Sequence, residues 1–260
     1  MPVSGDSHSR PVILIVGASR GLGHAMAAEF LEKDWTVIGT VRGRARTALH
    51  DLAEEHPGRV EIEMLDITEP EQIAALRQRL SGRVLDILFV NAGATNADPT
   101  QTIGEVSTRE FVDLMITNAL SPMRVVEVLQ DLVPITGLIG VMSSGQGSVA
   151  NNVSGKRELY RGTKAALNQF MRSFAARESD KPRAMAVIAR LGAHRPRRTG
   201  GTPLHRGEHP EPGECVAGEA GQAGTGVPRL PRPNRALVKA PVTRLRMPLL
   251  GCAAAANEGG

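Results

Sequence analysis

The chain has 260 residues and a net charge of +4, a length that suits one α/β domain with a large core. The charge is uneven: residues 1–188 carry 20 basic and 22 acidic side chains, and residues 189–260 carry the remaining 11 and 5 of the 31 and 27 in the whole chain. The two cysteines are far apart in the sequence, which indicates no metal site or disulfide framework. We find neither the apolar core of a signal peptide nor an apolar run long enough to cross a membrane, so we expect a cytoplasmic protein.

The predicted elements alternate along the chain after a polar leader, residues 1–10, that we expect to be disordered. Six apolar runs predict strands: PVILIVGAS, WTVIGTV, VEIEMLDI, VLDILFVNAG, ITGLIGVMSS and RAMAVIA. Helical spacing of apolar residues predicts helices over 21–34, 45–56, 70–80, 108–132 and 158–178, with a bend in the fourth at Pro122. Strands that alternate with helices predict a parallel sheet covered on both faces.

A glycine-rich loop joins the first strand to the first helix. Gly17, Gly21 and Gly23 have the spacing G-x-x-x-G-x-G. Glycines allow a tight turn and a close approach of the backbone to a pyrophosphate, and the free N–H groups of a helix N-terminus attract anions. The loop therefore indicates a dinucleotide site, with an ordinary glycine-rich turn as the alternative.

The end of the second strand favours NADP over NAD. An acidic residue at this position binds the ribose hydroxyls of NAD, whereas an arginine meets the extra phosphate of NADP. Here the strand ends in Arg42, and Arg20 lies inside the glycine loop. A planar guanidinium donates two hydrogen bonds at once, which suits a phosphate. NAD is the alternative, with Arg42 as an ordinary solvated residue.

Tyr160, the one tyrosine of the chain, is followed four residues later by Lys164. Positions four apart share a face of a helix. A free phenol has a pKa of about 10, and a nearby ammonium stabilises the phenolate, so such a pair can exchange a proton with a carbonyl or alcohol oxygen. Taken alone, the pattern also fits a boundary tyrosine beside a surface lysine.

Five motifs in one order resemble the short-chain dehydrogenase/reductase family. They are the glycine loop, NAG at 91–93, TNAL with Asn118, MSS with Ser144, and YRGTK with Tyr160 and Lys164. The resemblance covers residues 11–188 and implies a Rossmann-type, doubly wound parallel sheet. It also implies hydride transfer between NADP or NAD and a carbonyl or alcohol substrate, in a protein that forms dimers or tetramers.

The resemblance assigns a role to each matching residue. It implies that Tyr160 is the general acid/base, Lys164 tunes it and holds the nicotinamide ribose, and Ser144 binds the substrate oxygen. Asn118 would help to hold a water that links the lysine to solvent, and Asp66 would contact the adenine. The implied cofactor contacts are Gly17, Ser19, Arg20, Gly21, Leu22, Gly23, Arg42, Asp66, Ile67, Asn91, Ala92, Gly93, Tyr160 and Lys164.

Two features depart from the pattern of the family. Ser144 precedes Tyr160 by 16 residues, which indicates a small insertion and leaves Ser143 and Ser148 as alternatives to Ser144. Threonine at position 163 stands where the family commonly has a serine, which is a mild change.

The family pattern stops after residue 188. A turn with a threonine, a substrate loop, a last helix and a seventh strand are missing, and residues 189–260 are rich in Arg, Pro, Gly and Ala without any helical or strand period. Such composition predicts disorder. With one base dropped at codon 189, residues 189–198 can be respelled PGWVRTDLGG, residues 204–216 SIEESIPSLVNVL and residues 224–237 GLxFLDYRGRTVPW. These family-like segments lead us to the hypothesis of a frameshift near Ile188.

The frameshift predicts weak turnover and aggregation for this chain. Two other functions remain open. One is a non-catalytic nucleotide-binding protein or sensor, and the other is a natural basic tail that binds nucleic acid. The tail lacks the aromatic residues that stack on bases, so we expect no nucleic-acid partner.

Overall fold

The computed structural model describes residues 10–181 and 183–190. The predictions for the leader and for residues 191–260, including both cysteines, the frameshift and the missing last helix and seventh strand, lie outside these residues. None of the described helices has the length and apolar character needed to cross a membrane.

Strands and helices alternate within the described residues, as the apolar spacing predicts. The strands are β1 Val12–Val16, β2 Thr36–Val41, β3 Val60–Met64, β4 Ile87–Val90, β5 Leu138–Ser144 and β6 Ala184–Arg190. The α-helices are α1 Gly21–Glu32, α2 Ala48–Glu55, α3 Pro70–Arg79, α4 Thr108–Met115, α5 Ser121–Leu129 and α6 Glu158–Arg177.

The six described strands form one parallel sheet in the order β3-β2-β1-β4-β5-β6. β1 pairs with β2 on one side and with β4 on the other, so the order reverses at β1. This is the doubly wound arrangement, in which ligands bind beyond the carboxyl ends of the strands at the reversal point. The prediction of a Rossmann-type sheet is therefore confirmed.

Apolar clusters cover both faces of the sheet. Ile13 and Ile15 pack on the face covered by α1 and α2, whereas Leu14 and Val16 pack on the face covered by α3, α5 and α6. Successive side chains of a strand point to opposite faces, so a strand buried on both sides has to be apolar throughout. This explains why VILIV is a continuous apolar run.

The fourth predicted helix is interrupted earlier than expected. The sequence predicts one helix over 108–132 bent at Pro122, but α4 ends at Met115 and a π-helical turn at Ile116–Leu120 leads into α5. Pro122 lies in the first turn of α5. Because proline has no N–H, the chain changes its hydrogen bonding before the proline rather than at it. π turns occur frequently at functional sites.

Candidate active site

The glycine loop packs closely against the end of β4. Gly17 has φ +89°, and a Cβ atom added to it would lie 2.9 Å from the backbone nitrogen of Ala92. A Cβ atom on Gly23 would overlap the carbonyl oxygen of Gly17. These two positions require glycine for conformation and space.

Hydrogen bonds fix the end of β4 against the end of β1. The side-chain amide of Asn91 donates to the carbonyl of Gly17 at 2.8 Å. The backbone N–H groups of Asn91 and Ala92 both donate to the carbonyl of Val16, at 2.9 and 2.8 Å. The NAG segment thus holds the glycine loop in place. The predicted cofactor residues that follow β1 and β4 lie together at the carboxyl ends of these strands.

The first turn of α1 has the features of an anion site. Arg20 precedes the helix in extended conformation, and its side chain forms no capping hydrogen bond with the first turn. The first N–H groups of a helix have no intrahelical partner. Gly21 has φ +60° and open space where a side chain would stand, and Ser19 and Leu22 are only partly buried. The loop therefore fits a pyrophosphate group.

The two arginines that the sequence analysis predicts to meet the phosphate are on the surface. Arg20 and Arg42 are exposed, and no described carboxylate lies within salt-bridge distance of either. Arg46, nearby in sequence, is bound by Asp51 and Glu54 at 2.7 Å. Their charges therefore stay available to a ligand, whereas that of Arg46 is neutralised within the protein.

The residues after β3 shape the turn into α3. The carboxylate of Asp66 accepts hydrogen bonds from the N–H and hydroxyl of Thr68 at 2.9 and 2.7 Å. Ile67 is only 5% exposed, so it can offer a ligand little more than its backbone. A cleft of about 380 Å³ opens beside this turn, lined by Arg42, Glu63, Met64, Gln72, Ala75 and Arg79.

Lys164 is buried near Tyr160. Its ammonium lies 5.9 Å from the centroid of the Tyr160 ring and donates to the carbonyl of Met142 at 2.9 Å. The Lys164 side chain is nearly inaccessible, and this burial lowers its pKa from the usual 10.5 to about 8. A Cβ atom on Gly93 would lie 3.5 Å from the ammonium, so the NAG segment and β5 both approach it.

Asn118 joins three elements beneath Tyr160. Its side-chain amide donates to the carbonyl of Ala94 at 2.8 Å and to the hydroxyl of Thr163 at 3.1 Å, and its oxygen accepts the N–H of Ala94. Thr163 in turn donates to the carbonyl of Tyr160 at 2.8 Å. Threonine supplies the hydroxyl that a serine would supply, and Asn118 fixes the end of β4 and the start of α6 relative to each other.

The structure separates Ser143 from the other two candidate serines. Ser143 is buried, and its hydroxyl donates to Asn168 at 2.5 Å. Ser144 is only partly buried, and its hydroxyl oxygen accepts from the N–H of Gln146, which leaves its proton available. Ser148 lies in the following loop, where it accepts a backbone N–H at 3.3 Å. The proton of Ser143 is therefore engaged, whereas no acceptor is found among the described residues for the proton of Ser144 or of Ser148.

The loop between β5 and α6 contains the predicted insertion and is tied to α6. Arg161 donates to the carbonyl of Lys156 at 2.7 Å and to the hydroxyl of Ser154 at 3.2 Å. Asn168 donates to the carbonyl of Gly147 at 3.3 Å, and a Cβ atom on that glycine would lie within 3 Å of Lys164 and Asn168. The inserted residues are thus held beside the tyrosine.

Arg157 is a candidate site residue that the sequence analysis did not identify. Its guanidinium carbon lies 5.4 Å from the centroid of the Tyr160 ring. The spacing of three residues on a helix would have been the available signal. Arg157, however, precedes α6 in the left-handed conformation with φ +62°, which the sequence does not reveal for an arginine.

Solved structures with the same fold include oxidoreductases with bound cofactor. A short-chain dehydrogenase/reductase from Burkholderia multivorans, solved with bound NADP, is 75% identical with a TM-score of 0.68, over 69% of this chain and 78% of that one. A carbonyl reductase from Pseudomonas aeruginosa PAO1 in complex with NADP is 30% identical with a TM-score of 0.66, over 69% of this chain and 81% of that one.

Among curated proteins, the 1-hydroxy-2-glutathionyl-2-methyl-3-butene dehydrogenase of Rhodococcus sp. strain AD45 is 30% identical over 159 residues. The match covers 60% of this chain and 66% of that protein, so this chain spans just under two thirds of its length. The model of the short chain dehydrogenase family matches residues 11–189, which include the glycine loop, Asn118, Ser144, Tyr160 and Lys164. This chain therefore belongs to the short-chain dehydrogenase/reductase family of oxidoreductases.

Proposed function

We propose that this protein catalyses hydride transfer between NADP(H) and a carbonyl or alcohol substrate, with Tyr160 as the general acid/base. The observation that carries the proposal is the buried ammonium of Lys164, 5.9 Å from the centroid of the Tyr160 ring at the carboxyl end of β5. A buried cation beside a phenol stabilises the phenolate, so the tyrosine can both give and take a proton.

Ser144 and Tyr160 have different roles at the substrate oxygen. Ser144 donates a hydrogen bond to that oxygen and stabilises the negative charge that develops on it. Tyr160 delivers the proton during reduction or removes it during oxidation. The nicotinamide, when bound, supplies or accepts the hydride.

Asn118 supports the path by which the tyrosine regains its proton. Pro122 lacks the N–H that would bond the carbonyl of Asn118 in a regular α-helix. That carbonyl is therefore a candidate acceptor for a water between Lys164 and solvent. Because the side chain of Asn118 is fully engaged with Ala94 and Thr163, we assign the water to its backbone and not to its amide.

For the cofactor, we propose NADP in preference to NAD. Gly17, Gly21 and Gly23 with the start of α1 would hold the pyrophosphate, and Arg20 and Arg42 would bind the additional phosphate. Both arginines lack a carboxylate partner among the described residues, which leaves their charge for an anion. The NADP bound to two similar solved proteins supports the same choice.

The other cofactor contacts follow from their places along the sheet edge. Asn91, Ala92 and Gly93 would line the cleft, Asp66 and the backbone of Ile67 would meet the adenine, and Ser19 and Leu22 would close the glycine loop. We further propose that the protein works in the cytoplasm as a homodimer or homotetramer on small-molecule substrates, without nucleic acid or membrane partners.

The test is turnover of aldehydes and ketones by the full chain, followed by the loss of NADPH or NADH absorbance. We expect oxidation of NADPH to exceed that of NADH. Tyr160→Phe is expected to reduce kcat by roughly 100-fold or more because the proton donor is removed, while the dissociation constant of NADPH stays within about twofold, since the ring and Lys164 remain.

Unchanged turnover in Tyr160→Phe would refute the proposal. Tight NADPH binding with no turnover of any carbonyl, in this chain and in a frame-restored chain alike, would favour the alternative of a non-catalytic nucleotide sensor.

A further inference from the structure

Arg157 places a second cation beside the tyrosine that we propose to be catalytic. Its guanidinium carbon lies 5.4 Å from the centroid of the Tyr160 ring, a distance typical of cation–π contacts. Lys164 is on the same ring at 5.9 Å. The phenol thus has two positively charged neighbours, and only one of them is needed to stabilise a phenolate.

The charge of Arg157 has no partner within residues 10–181 and 183–190. Its Nε atom is buried without a hydrogen-bond acceptor, and no described carboxylate forms a salt bridge with the guanidinium. Arg157 as a whole is partly buried, and the cost of an unpartnered polar group applies to its Nε atom. An anionic ligand would supply the missing acceptor, and the planar guanidinium could bind it with two parallel hydrogen bonds.

Two other cations on this turn of the protein already have hydrogen-bond acceptors. Arg161 donates to backbone carbonyls of the neighbouring loop, and Lys164 donates to the carbonyl of Met142. The one acidic group, Glu158, accepts the backbone N–H of Ile103 at 2.8 Å. Of the two cations on the Tyr160 ring, Arg157 is therefore the one whose side chain has no hydrogen-bond acceptor within residues 10–181 and 183–190.

The backbone at Arg157 is also unusual. The residue adopts φ +62°, a left-handed conformation that costs a non-glycine residue roughly 1 kcal/mol or more. Gly155, two residues earlier, adopts a similar φ of +67°, and glycine is the residue that takes this conformation without steric cost. Asp34, an exposed residue, has the same φ of +62°, so the role of Arg157 is argued from its contacts and not from this conformation.

We propose that Arg157 is a specificity-determining residue that binds a carboxylate on the substrate, so that the preferred substrates are carbonyl or alcohol compounds that also carry a carboxylate. A carboxylate is favoured over a phosphate because one unpaired cation is balanced by a single negative charge. The inference rests on the proposed function, since it takes Tyr160 to mark the reacting oxygen.

The test compares 4-carboxybenzaldehyde with its methyl ester, which removes the negative charge and adds one methyl group. Their dissociation constants are measured by calorimetry on the full chain carrying Tyr160→Phe and saturated with NADP, so that no turnover is needed. We expect the carboxylate to bind roughly tenfold or more tightly than the ester. Adding Arg157→Gln should reduce this ratio to about one, and Arg157→Lys should keep part of it.

A matched control is Arg172→Gln, which removes an exposed arginine from the same helix and should keep the full ratio. Equal binding of the two probes to the parent, or an undiminished ratio in Arg157→Gln, would overturn the inference. So would a weaker affinity of Arg157→Gln for NADPH that matches the loss for the carboxylate probe, because Arg157 would then bind the cofactor.

Kinetics on the chain with Tyr160 intact separate this inference from the proposed function. If both hold, Arg157→Gln raises KM for 4-carboxybenzaldehyde more than it lowers kcat. A carboxylate preference in binding without turnover, in this chain and in a frame-restored chain alike, would support the site and refute the enzyme. Turnover of both probes with equal kcat/KM would support the enzyme and refute the role of Arg157.

Discussion

Lys164 is buried, and desolvation disfavours the charged form of its side chain. The side chain is 3% exposed, and desolvation lowers its pKa to about 8. The hydrogen bond to the carbonyl of Met142 compensates for only part of this cost. A residue that destabilises the fold and remains in place is expected to serve function rather than stability.

A pH-dependent stability measurement tests this reading of Lys164. In the unfolded chain the lysine titrates near its ordinary value, whereas in the folded chain it titrates at about 8. Between these two values the unfolded state binds the additional proton, so the free energy of unfolding rises with pH, and the full penalty is present below about pH 8. The shift corresponds to about 3 kcal/mol at neutral pH.

We therefore expect Lys164→Met to raise the free energy of unfolding at pH 7 by about 1–3 kcal/mol, after the loss of one hydrogen bond. Urea denaturation without cofactor at pH 7 and at pH 9.5 would also show a flatter pH dependence than in the parent. A variant that is less stable than the parent at pH 7 would contradict this account.

At the scale of elements, the contact between the start of α1 and the glycine loop is the tightest constraint on the cofactor site. A methyl group on Gly23 would overlap the carbonyl oxygen of Gly17 and crowd the amide of Asn91 at 2.6 Å. The helix would have to move away from the ends of β1 and β4. The residues that hold the pyrophosphate would move with it.

Gly23→Ala is accordingly expected to lower the free energy of unfolding by about 1–3 kcal/mol and to weaken NADPH binding. Gly162→Ala is the matched control, because Gly162 also lies in a helix but has open space around an added methyl group. It should stabilise the chain by about 0.5–1 kcal/mol through helix propensity. Urea denaturation of both variants measures the two effects, and equal shifts of the same sign would contradict the role of packing at Gly23.

At the scale of the whole molecule, the sheet ends at a strand that has one neighbour among the described residues. β6 pairs with β5, and Val187 on it is 44% exposed. An unpaired strand edge promotes association between chains. The match to the family model ends at residue 189, where the predicted frameshift begins.

The frameshift predicts that a repaired gene yields a better enzyme. We expect the chain read in the shifted frame after Ile188 to show higher carbonyl turnover with NADPH and less aggregation, because a turn, a helix and a seventh strand would follow β6. Size-exclusion chromatography and NADPH absorbance on the two purified chains measure these differences. Codons that cannot encode the respelled segments, or a repaired chain no better than the present one, would exclude the frameshift.

Local patterns in the sequence determined most of the fold. The predicted strands lie within a few residues of the observed ones. A strand buried on both faces, such as β1, is apolar at every position, whereas β3 at the edge of the sheet alternates, with Glu61 and Glu63 between apolar residues. The predicted helical stretch over 108–132 is present, but the sequence does not reveal its π turn at Ile116–Leu120, since a proline shows that helical bonding must change but not on which side of it the change occurs.

The sequence by itself determined the order of strands and helices, the glycine loop and the family motifs, because burial period and glycine conformation act between residues close along the chain. Only the tertiary structure decided that Lys164 is buried against β5, that Ser143 is bound by Asn168 and that Arg157 lies on the ring of Tyr160. These facts depend on how separate elements pack and on a left-handed turn, and neither leaves a local signal in the residues themselves.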